Sequence, residues 1–366
     1  MKKEDFFKSQ SQLTTAKIKI YKEYIEGYLP KLLMTFGSCI IVDLFCGPGK
    51  NGENDGSPLV LIDRIKYILT SDLLKNKDLK LSILFNDQDK NNIESLEDEI
   101  KKLHIDKKVI AITIKNEKYE NIIGRFINQL KIVQTPKFIF LDPFNYSNVS
   151  MNDLKKIMSL PNTEVLLFIP IFHTYRFAST EFDSKHRTRI FVEEFTSKGI
   201  HDYNDIYDFM DSVRDKIISE LSLDYVRPVL LDGGGSKNSL FLLTKHQKGM
   251  LLMNKVVFNN TDDGNKLEVK NIHQKSLFEP EVSSSFVDNF KDKLALFVKQ
   301  NDKTNDEIVD YTIQEGLLPK HAKTFLLELY ANGLINVFDG LNNEITDKRK
   351  WNIAEHINTT TIFKWL

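Results

Sequence analysis

Short apolar segments alternate with amphipathic segments over the first half of the chain, and this alternation limits the possible folds more than any other feature. The runs IIVDLF, LSILFND, VIAITI, KFIFLD and EVLLFI are predicted as the first to fifth strands, and apolar residues recur at helical spacing in the stretches between them. Strands that alternate with helices build βαβ units, whose strands pair in parallel. Because such strands are covered on both faces, their apolar character favours a buried, mostly parallel sheet.

The second half of the chain predicts a hairpin and then a separate domain. The stretch YVRPVLLDGGGSKNSLFLLTKH is typical of two strands around a glycine-rich turn, which would add an antiparallel hairpin to the sheet. A polar, irregular stretch then precedes three helices and a short hairpin, which is the order of a winged helix. The sequence therefore predicts an α/β domain over residues 1–258, a linker over 259–284 and a winged-helix-like domain over 285–366.

The charge balance and the cysteines narrow the class of protein. Lys and Arg number 50 against 51 Asp and Glu, a net charge of -1, so a nucleic-acid partner would have to meet a local basic patch. Cys39 and Cys46 have no Cys or His partners at metal-ligand spacing, which predicts reduced thiols, no metal site and a cytoplasmic protein. No apolar run reaches the roughly 18 residues of a membrane span, and the N-terminus lacks the apolar core of a secretory signal.

The first strand ends in a glycine-rich turn, VDLFCGPGKNGENDGSP. A P-loop is excluded because no Gly-Lys-Ser/Thr follows, and the absent third glycine of G-x-G-x-x-G disfavours an NAD-dependent dehydrogenase. The pattern Asp-x-Phe-x-Gly-x-Gly resembles motif I of S-adenosylmethionine-dependent methyltransferases, although a turn without a ligand is the alternative. Ser57 is predicted to cap the following helix, with Pro58 at its first position. The predicted cofactor-binding residues of this turn are Asp43, Phe45, Gly47, Gly49 and Ser57.

An acidic residue follows the second strand in the run LFNDQD. Doubly wound folds hydrogen-bond a ribose with an acid at this place, because a carboxylate accepts from both hydroxyl groups. Asp87 is the better candidate and Asp89 lies slightly further on. An exposed acid at a strand end is common, so this signal is weak when taken alone.

The run IFLDPFNY ends the fourth strand. It resembles the Asp-Pro-Pro-Tyr/Phe motif of methyltransferases that act on an exocyclic amine of adenine or cytosine, where the aromatic ring stacks on the extruded base. Here a Phe replaces the second Pro and the Tyr comes two positions later; a Pro-bearing turn with a core Phe is the structural alternative. The predicted catalytic residues are Asp142, Pro143, Phe144 and Tyr146.

Three further residues are candidates for the substrate side. His173 and Arg176 follow the fifth strand, and Lys17 lies in the first helix, from which it could reach a phosphate or a carboxylate. A structural histidine and solvated cations are the ordinary interpretation of these residues. In the predicted third helix of the C-terminal domain, Lys320, His321 and Lys323 form a modest basic edge, which suits either nucleic acid or a protein partner.

The chain resembles the three-Cys-motif partner protein (TcmP) family. The resemblance is carried by TTAKIKIYKEYIEGYLP, VDLFCGPGKNGENDGSPLVLID, FIFLDPFNY, SLFLLTKHQKGMLLMNKVV and HAKTFLLELYANGLINV. It implies a Rossmann-like methyltransferase fold, a bacterial or phage setting and a radical-SAM-like three-Cys-motif protein as the partner. The matching positions are Asp43, Gly47, Gly49, Gly56, Ser57, Asp142, Pro143 and Phe144.

Two classes of function follow from the sequence. The first is an S-adenosylmethionine-dependent methyltransferase that acts on a nucleobase of DNA or RNA, with the winged helix as a grip on nucleic acid or protein. The second is a non-catalytic binding protein of a two-component system with a degenerate cofactor pocket. The near-neutral charge and the missing second Pro favour the second class, and the order of the three strand-end motifs favours the first.

Overall fold

The computed structural model describes residues 3–366 apart from 144–147, 181, 184–185, 234–236, 262–263, 265, 269–285 and 356–358, with side chains from residue 13 onward except those of 266–268. The described chain divides into two compact units, Met1–His246 with Leu267–Lys270, and Gln247–Lys266 with Asn271–Leu366.

The first unit is built from alternating strands and helices. Its helices are α1 (Lys3–Phe36), α2 (Ser57–Leu69), α3 (Lys90–Lys101), α4 (Tyr119–Leu130), α5 (Met151–Met158), α6 (Ile171–Arg176), α7 (Arg187–Phe195) and α8 (Ile206–Leu221). Its strands are β1 (Ser38–Asp43), β2 (Lys50–Asn51), β3 (Asn54–Asp55), β4 (Lys80–Asn86), β5 (Ile110–Lys115), β6 (Lys137–Leu141), β7 (Thr163–Ile169), β8 (Tyr225–Asp232) and β9 (Lys237–Thr244). The short β10 (Lys266–Glu268) joins the sheet of this unit next to β8.

The central sheet has the strand order β10-β8-β9-β7-β6-β1-β4-β5. Strands β5, β4, β1, β6 and β7 pair in parallel, and β9 is antiparallel to both β7 and β8. Every residue of β6 is buried, as expected for a strand with helices on both faces. The prediction of a Rossmann-like, mostly parallel sheet that ends in an antiparallel hairpin is confirmed.

Helix α1 covers one face of this sheet with aromatic side chains. The ring of Tyr21 lies 4.7 Å from that of Phe140 on β6, and Tyr24 stacks at 5.8 Å from Phe138 on the same strand. Both tyrosines are fully buried. Burial of such large rings is a strong apolar contribution, so α1 is anchored over the centre of the sheet.

The second unit contains α9 (Gln247–Asn260), α10 (Phe286–Gln300), β11 (Lys303–Thr304), α11 (Asn305–Gln314), α12 (Pro319–Ala331), β12 (Ile335–Asp339) and β13 (Thr361–Trp365). Its three strands form an antiparallel sheet in the order β11-β13-β12. Trp351 and Phe363 are fully buried and meet edge to face at 5.6 Å, which places them in the core of this unit.

The boundary between the units differs from the predicted one. The sequence assigned residues up to 258 to the first domain, but α9 belongs to the second unit. The side-chain amide of Asn254 on α9 is buried and donates to the carbonyl oxygens of Ile313 and Leu317, each at 3.0 Å. A buried amide without hydrogen-bond partners is energetically costly. These two hydrogen bonds therefore attach α9 to α11 and to the turn that follows α11. The predicted linker also contains the end of α9 and strand β10.

None of the helices in the described part of the chain combines the length and the apolar character needed to cross a membrane.

Candidate cofactor and acceptor site

Three carboxylates meet at the carboxyl edge of the parallel sheet. Asp43 is the last residue of β1, where it pairs with Phe85 on β4 and Phe140 on β6. Asp87 lies two residues beyond Phe85, and Asp142 lies two residues beyond Phe140. Ligands of doubly wound sheets bind outside this edge, so the three predicted strand-end motifs occupy the expected place.

The glycine turn after β1 leaves part of its backbone uncovered. Gly47 has φ of +64°, and a Cβ added to it would have no heavy atom within 4 Å. Gly49 has φ of +83°, and its added Cβ would lie 2.9 Å from Cδ1 of Leu96 on α3. Gly49 is therefore favoured by its positive φ and is closely packed, whereas Gly47 leaves open space over its backbone, where a ligand could approach.

Ser57 does not cap α2 as predicted. The N-cap residue is Gly56, and no side chain caps the helix. The hydroxyl of Ser57 instead donates to Oδ2 of Asp43 at 2.6 Å, while the backbone N–H of Phe45 donates to Oδ1 of Asp43 at 3.2 Å. A helix cap would require the Ser57 hydroxyl to accept a backbone N–H, whereas here the hydroxyl donates its proton to a buried carboxyl group. Asp43 therefore holds both ends of the glycine turn.

The pKa of Asp43 is raised from 3.8 to about 7, chiefly by burial and also by the nearby charge of Asp142. The hydrogen bonds from Ser57 and Phe45 and the charge of Lys17 lower the pKa but do not offset the burial. A ligand with a positive charge near Asp43 would favour its ionised form. The carboxyl group is thus suited to bind a cationic group at neutral pH.

Asp87 joins the glycine turn to α3. Its Oδ2 accepts the backbone N–H of Gly47 at 3.0 Å, and its Oδ1 accepts that of Asp89 at 2.8 Å. Each carboxylate oxygen can accept a second hydrogen bond, so Asp87 keeps acceptor capacity for hydroxyl groups. Asp89 is exposed and caps α3 through the N–H of Asn91 at 2.9 Å. This difference supports the preference for Asp87 over Asp89.

The sequence analysis missed Asn86, which joins three strand ends. Its side-chain amide donates to the carbonyl oxygens of Leu44 at 3.2 Å and Glu117 at 3.0 Å, and its Oδ1 accepts the N–H of Glu117 at 3.1 Å. Asn116, just after β5, donates to the carbonyl oxygen of Asp87 at 2.9 Å. The available signal was an asparagine at the end of each of two neighbouring strands, Asn86 as the last residue of β4 and Asn116 directly after β5.

Phe45 packs beside the same network. Its half-buried ring stacks on Tyr119 at the start of α4, with 5.1 Å between the ring centroids. The pair forms an aromatic wall next to the glycine turn, which would suit a flat group such as a nucleobase.

Lys17 of α1 forms an ion pair with Asp142. Lys17 is only 8% exposed, and its ammonium group lies 4.5 Å from the centroid of the Phe168 ring on β7. One turn along α1, the hydroxyl of Tyr21 is buried and has no hydrogen-bond partner among the described residues. Burial and the charge of Asp43 raise the pKa of Tyr21 well above its usual value, so this hydroxyl is a neutral donor close to Asp43. Helix α1 thus brings polar groups to the predicted cofactor and acceptor sides.

Pro143 packs against the end of β7 and the inner face of α7. It lines a cavity of about 10 Å³, which holds no more than one small group. The walls of this cavity are Pro143, Val149, Leu167, Phe168, Ile169, Phe191 and Phe195. The predicted catalytic residues Phe144 and Tyr146 lie outside the described residues.

His173 and Arg176 lie on α6, which follows β7 at the same edge of the sheet, and both are exposed. The guanidinium of Arg176 lies 5.6 Å from the ring of Phe172 and 5.8 Å from that of Phe177. The ring of His173 lies 5.0 Å from Phe177. No contact between these two residues and Lys17 or Asp142 is seen in the described part of the chain, so Lys17 alone is placed beside the predicted acceptor motif.

The side chains at this edge fit S-adenosylmethionine. A ligand with hydroxyl and charged groups would use the uncovered backbone at Gly47, the spare acceptor capacity of Asp87 and the Tyr21 hydroxyl, which has no partner among the described residues. The described residues contain no group of three or more His, Cys, Asp or Glu side chains placed to hold a metal ion.

Comparison with known proteins found solved structures whose similarity to this chain is low. Trm1 from Pyrococcus horikoshii in complex with S-adenosyl-L-methionine matches 64% of this chain and 57% of its own, at 12% identity and a TM-score of 0.36. WbdD in co-crystals with the kinase inhibitor LY294002 matches 62% of this chain and 40% of its own, at 12% identity and a TM-score of 0.33. A SAM-dependent methyltransferase from Methanosarcina mazei matches 56% of this chain and 92% of its own, at 15% identity and a TM-score of 0.30.

The chain spans less than two thirds of the lengths of Trm1 and WbdD. No protein-family model matches the chain, and no curated protein matches it significantly.

Proposed function

We propose that this chain is an S-adenosylmethionine-dependent methyltransferase. The observation that carries the proposal is the convergence of Asp43, Asp87 and Asp142 at one sheet edge around a glycine turn with an uncovered backbone. The cofactor supplies an electrophilic methyl group when it is bound. Asp43 and the turn would hold its charged methionine end, Asp87 would accept from its ribose hydroxyls, and the Phe45 ring would pack beside its adenine.

The proposed acceptor side is Asp142 and Pro143, with Lys17 as a positioning residue. Lys17 fixes the orientation of the Asp142 carboxylate through the ion pair, and the carboxylate can still accept a hydrogen bond from the methyl acceptor. Positioning of the acceptor in line with the methyl group would be the main contribution of the protein to the rate. A nucleobase of DNA or RNA is the proposed acceptor, because the LDPFNY run resembles the motif of base methyltransferases.

The C-terminal unit is proposed to be a winged helix that binds nucleic acid or protein. The order α10, β11, α11, α12, β12, β13 supports this proposal. On α12, Lys320 is exposed and Lys323 is half-buried. Burial lowers the pKa of His321 to about 4, so this residue adds no charge at neutral pH. Membership of the TcmP family, a three-Cys-motif partner and a cytoplasmic location remain parts of the proposal.

Calorimetric titration with S-adenosylmethionine and S-adenosylhomocysteine tests the cofactor site. Wild type should bind both, Asp43→Ala should lose at least about tenfold in affinity, and Asp142→Ala should keep wild-type affinity because it lies on the acceptor side. Asp43→Asn, which keeps the shape of the side chain, separates loss of the charge from loss of the fold. Asp98→Ala on the exposed face of α3 is the matched control.

A labelled-methyl assay over DNA, RNA and protein then tests transfer. We expect wild type to bind the cofactor and to transfer the methyl group to nucleic acid. We expect Asp142→Ala to lose this transfer. Failure of wild type to bind either ligand would remove the methyltransferase proposal for the isolated chain.

A non-catalytic binding protein is the second candidate. It is favoured by the internal pairing of the site, since the Asp142 carboxylate already bonds Lys17 and both Asp87 oxygens accept backbone N–H groups. Cofactor binding without methyl transfer to any acceptor, with or without a partner protein, is the result that would select it.

A further inference from the structure

A continuous row of ring contacts lies in the segment that joins β7 to α7. The ring of His173 lies 5.0 Å from Phe177, Phe177 meets Phe182 edge to face at 6.1 Å, and Phe182 stacks on His186 at 4.0 Å and an interplanar angle of 12°. The two histidines are exposed and the two phenylalanines are half-buried. We call these four residues the aromatic ladder.

Arginine side chains accompany the ladder. Arg176 lies over the Phe177 ring at 5.8 Å, Arg187 is exposed, and Arg189 donates to the carbonyl oxygen of Phe182 at 2.8 Å. Arg189 is also paired with Glu193 at 2.8 Å, so Arg176 and Arg187 carry most of the available positive charge. The chain as a whole has a net charge of -1, so a basic patch here would be local.

The ladder is close to the proposed acceptor side. It begins on α6, directly after β7, and ends at His186, the N-cap residue of α7. The end of β7 and the inner face of α7 share one small cavity with Pro143, the residue after Asp142. The two elements that hold the ladder therefore flank the turn that would present the methyl acceptor.

Partly exposed aromatic rings next to guanidinium groups fit unpaired nucleotides. Bases stack on such rings without regard to sequence, and arginines bind the phosphates and stack on bases as well. Duplex bases are already stacked on one another, so they cannot use the ladder. We propose that the aromatic ladder binds a single-stranded stretch of nucleic acid and leads an unpaired base to Asp142. This inference rests on the proposed methyltransferase function and names the class of its substrate.

Fluorescence anisotropy with the full chain tests the ladder. The probes are labelled 15-nucleotide single strands of RNA and DNA with mixed sequence, and the corresponding duplexes. Single strands should bind at least about tenfold more tightly than duplexes, and Phe182→Leu and Phe177→Leu should each lower single-strand affinity about tenfold, as expected for loss of one stacked base. Arg187→Gln should weaken binding and reduce the dependence of affinity on salt by about 0.7 in logarithmic slope.

Tyr67→Leu is the matched control, because Tyr67 is an exposed aromatic residue with Arg64 at 5.3 Å from its ring, on α2. It should leave single-strand affinity unchanged. Arg187→Gln changes only an exposed side chain, so it keeps the test decisive if a Phe variant fails to fold.

Equal affinity for single strands and duplexes, or ladder variants that bind like wild type, would overturn the inference. Binding of an apolar peptide to the ladder in preference to oligonucleotides would also overturn it. Calorimetry with S-adenosylmethionine on the same variants separates the two proposals. If the cofactor binds and the ladder variants keep oligonucleotide affinity, the ladder inference alone fails. If the cofactor does not bind wild type, the proposed function fails.

Discussion

The two ends of the parallel sheet both hold ionisable side chains that have partners, yet they differ in the unused hydrogen-bonding groups and open backbone beside those side chains. The amino end holds Lys137 and Glu164, and the carboxyl end holds Asp43, Asp87 and Asp142. Comparison of the two ends shows which features of a buried charge indicate a site and which indicate only structure.

Lys137 at the start of β6 is fully paired. Its ammonium group donates to the carbonyl oxygens of Val133, Thr135 at 3.0 Å and Pro161 at 2.9 Å. An ammonium group has three protons to donate, so none remains for a ligand. Lys137 therefore connects the loops that precede β6 and β7 at the amino end of the sheet, and its role is structural.

Glu164 and Asp43 have similarly raised pKa values but lie in different surroundings. Burial raises the pKa of each to about 7. Glu164 accepts from the hydroxyls of Tyr24 at 2.6 Å and Thr244 at 2.8 Å, all of them inside the core. Asp43 lies instead between the uncovered glycine turn and the Tyr21 hydroxyl, for which the described part of the chain offers no partner. A perturbed pKa alone does not mark a site, whereas unused hydrogen-bonding groups beside open backbone do.

Lys137→Met should give the largest loss of stability. The three carbonyl groups, which are partly buried, would lose this donor, and this should lower the free energy of unfolding by about 3 kcal/mol. Urea unfolding measures the change, with the exposed Lys80→Met at the start of β4 as the control. Affinity of the folded variant for S-adenosylmethionine should not change. A loss of affinity would show that the amino end contributes to the site.

Stability should fall as pH rises from about 4 to about 7. In this window the native state keeps protons on Asp43 and Glu164 that the unfolded chain, with carboxyl pKa values near 3.8 and 4.5, has already lost. The unfolded state binds fewer protons, so the free energy of unfolding falls with pH and levels off above about 7. Asp43→Asn and Glu164→Gln should each remove about 2 kcal/mol of the fall between pH 5 and pH 8.

Wild-type cofactor affinity in Asp43→Asn, or a loss of cofactor affinity in Glu164→Gln, would contradict the assignment of the cofactor site to the carboxyl end of the sheet. Urea unfolding at each pH, together with calorimetry at pH 8, provides both measurements.

Two tyrosines one turn apart on α1 give a matched pair. Tyr24→Phe removes a hydrogen bond to the buried Glu164 and should cost about 1.5 kcal/mol. Tyr21→Phe removes a hydroxyl that has no partner among the described residues, so stability should stay within about 0.5 kcal/mol of wild type. Cofactor affinity should fall only for Tyr21→Phe. A loss of cofactor affinity in Tyr24→Phe but not in Tyr21→Phe would place the functional polar group at the amino end.

Two glycines with the same backbone conformation give the smallest effect. Gly37 precedes β1 at the amino end with φ of +67°, and Gly47 follows it at the carboxyl end with φ of +64°. Each change to Ala should cost about 1 kcal/mol, since a side chain is strained in this region. Only Gly47→Ala should weaken cofactor binding, because its Cβ would occupy the open space over the turn. Equal cofactor affinity of the two variants in calorimetry would argue against a ligand at Gly47.

The sequence alone determined the parallel sheet, its closing hairpin and the edge where the three carboxylates meet. These features depend on local patterns, since apolar runs make strands and parallel strands bring their carboxyl ends to one edge. The glycine turn could be located in the same way, because the residues between a strand and the next helix are consecutive in the chain.

Only the tertiary structure decided how side chains pair across the fold. Lys17 and Asp142 are 125 residues apart and meet because α1 packs over the centre of the sheet. Ser57 is a residue type that commonly caps helices, yet Gly56 is the N-cap of α2 and the Ser57 hydroxyl donates to Asp43, which lies 14 residues earlier in the chain. Helix α9 continues without a break from the hairpin in sequence, and its buried Asn254 attaches it to the second unit. In each case a buried polar group needs a hydrogen-bond partner. Which groups become buried depends on how distant parts of the chain pack, and a local sequence pattern does not contain that information.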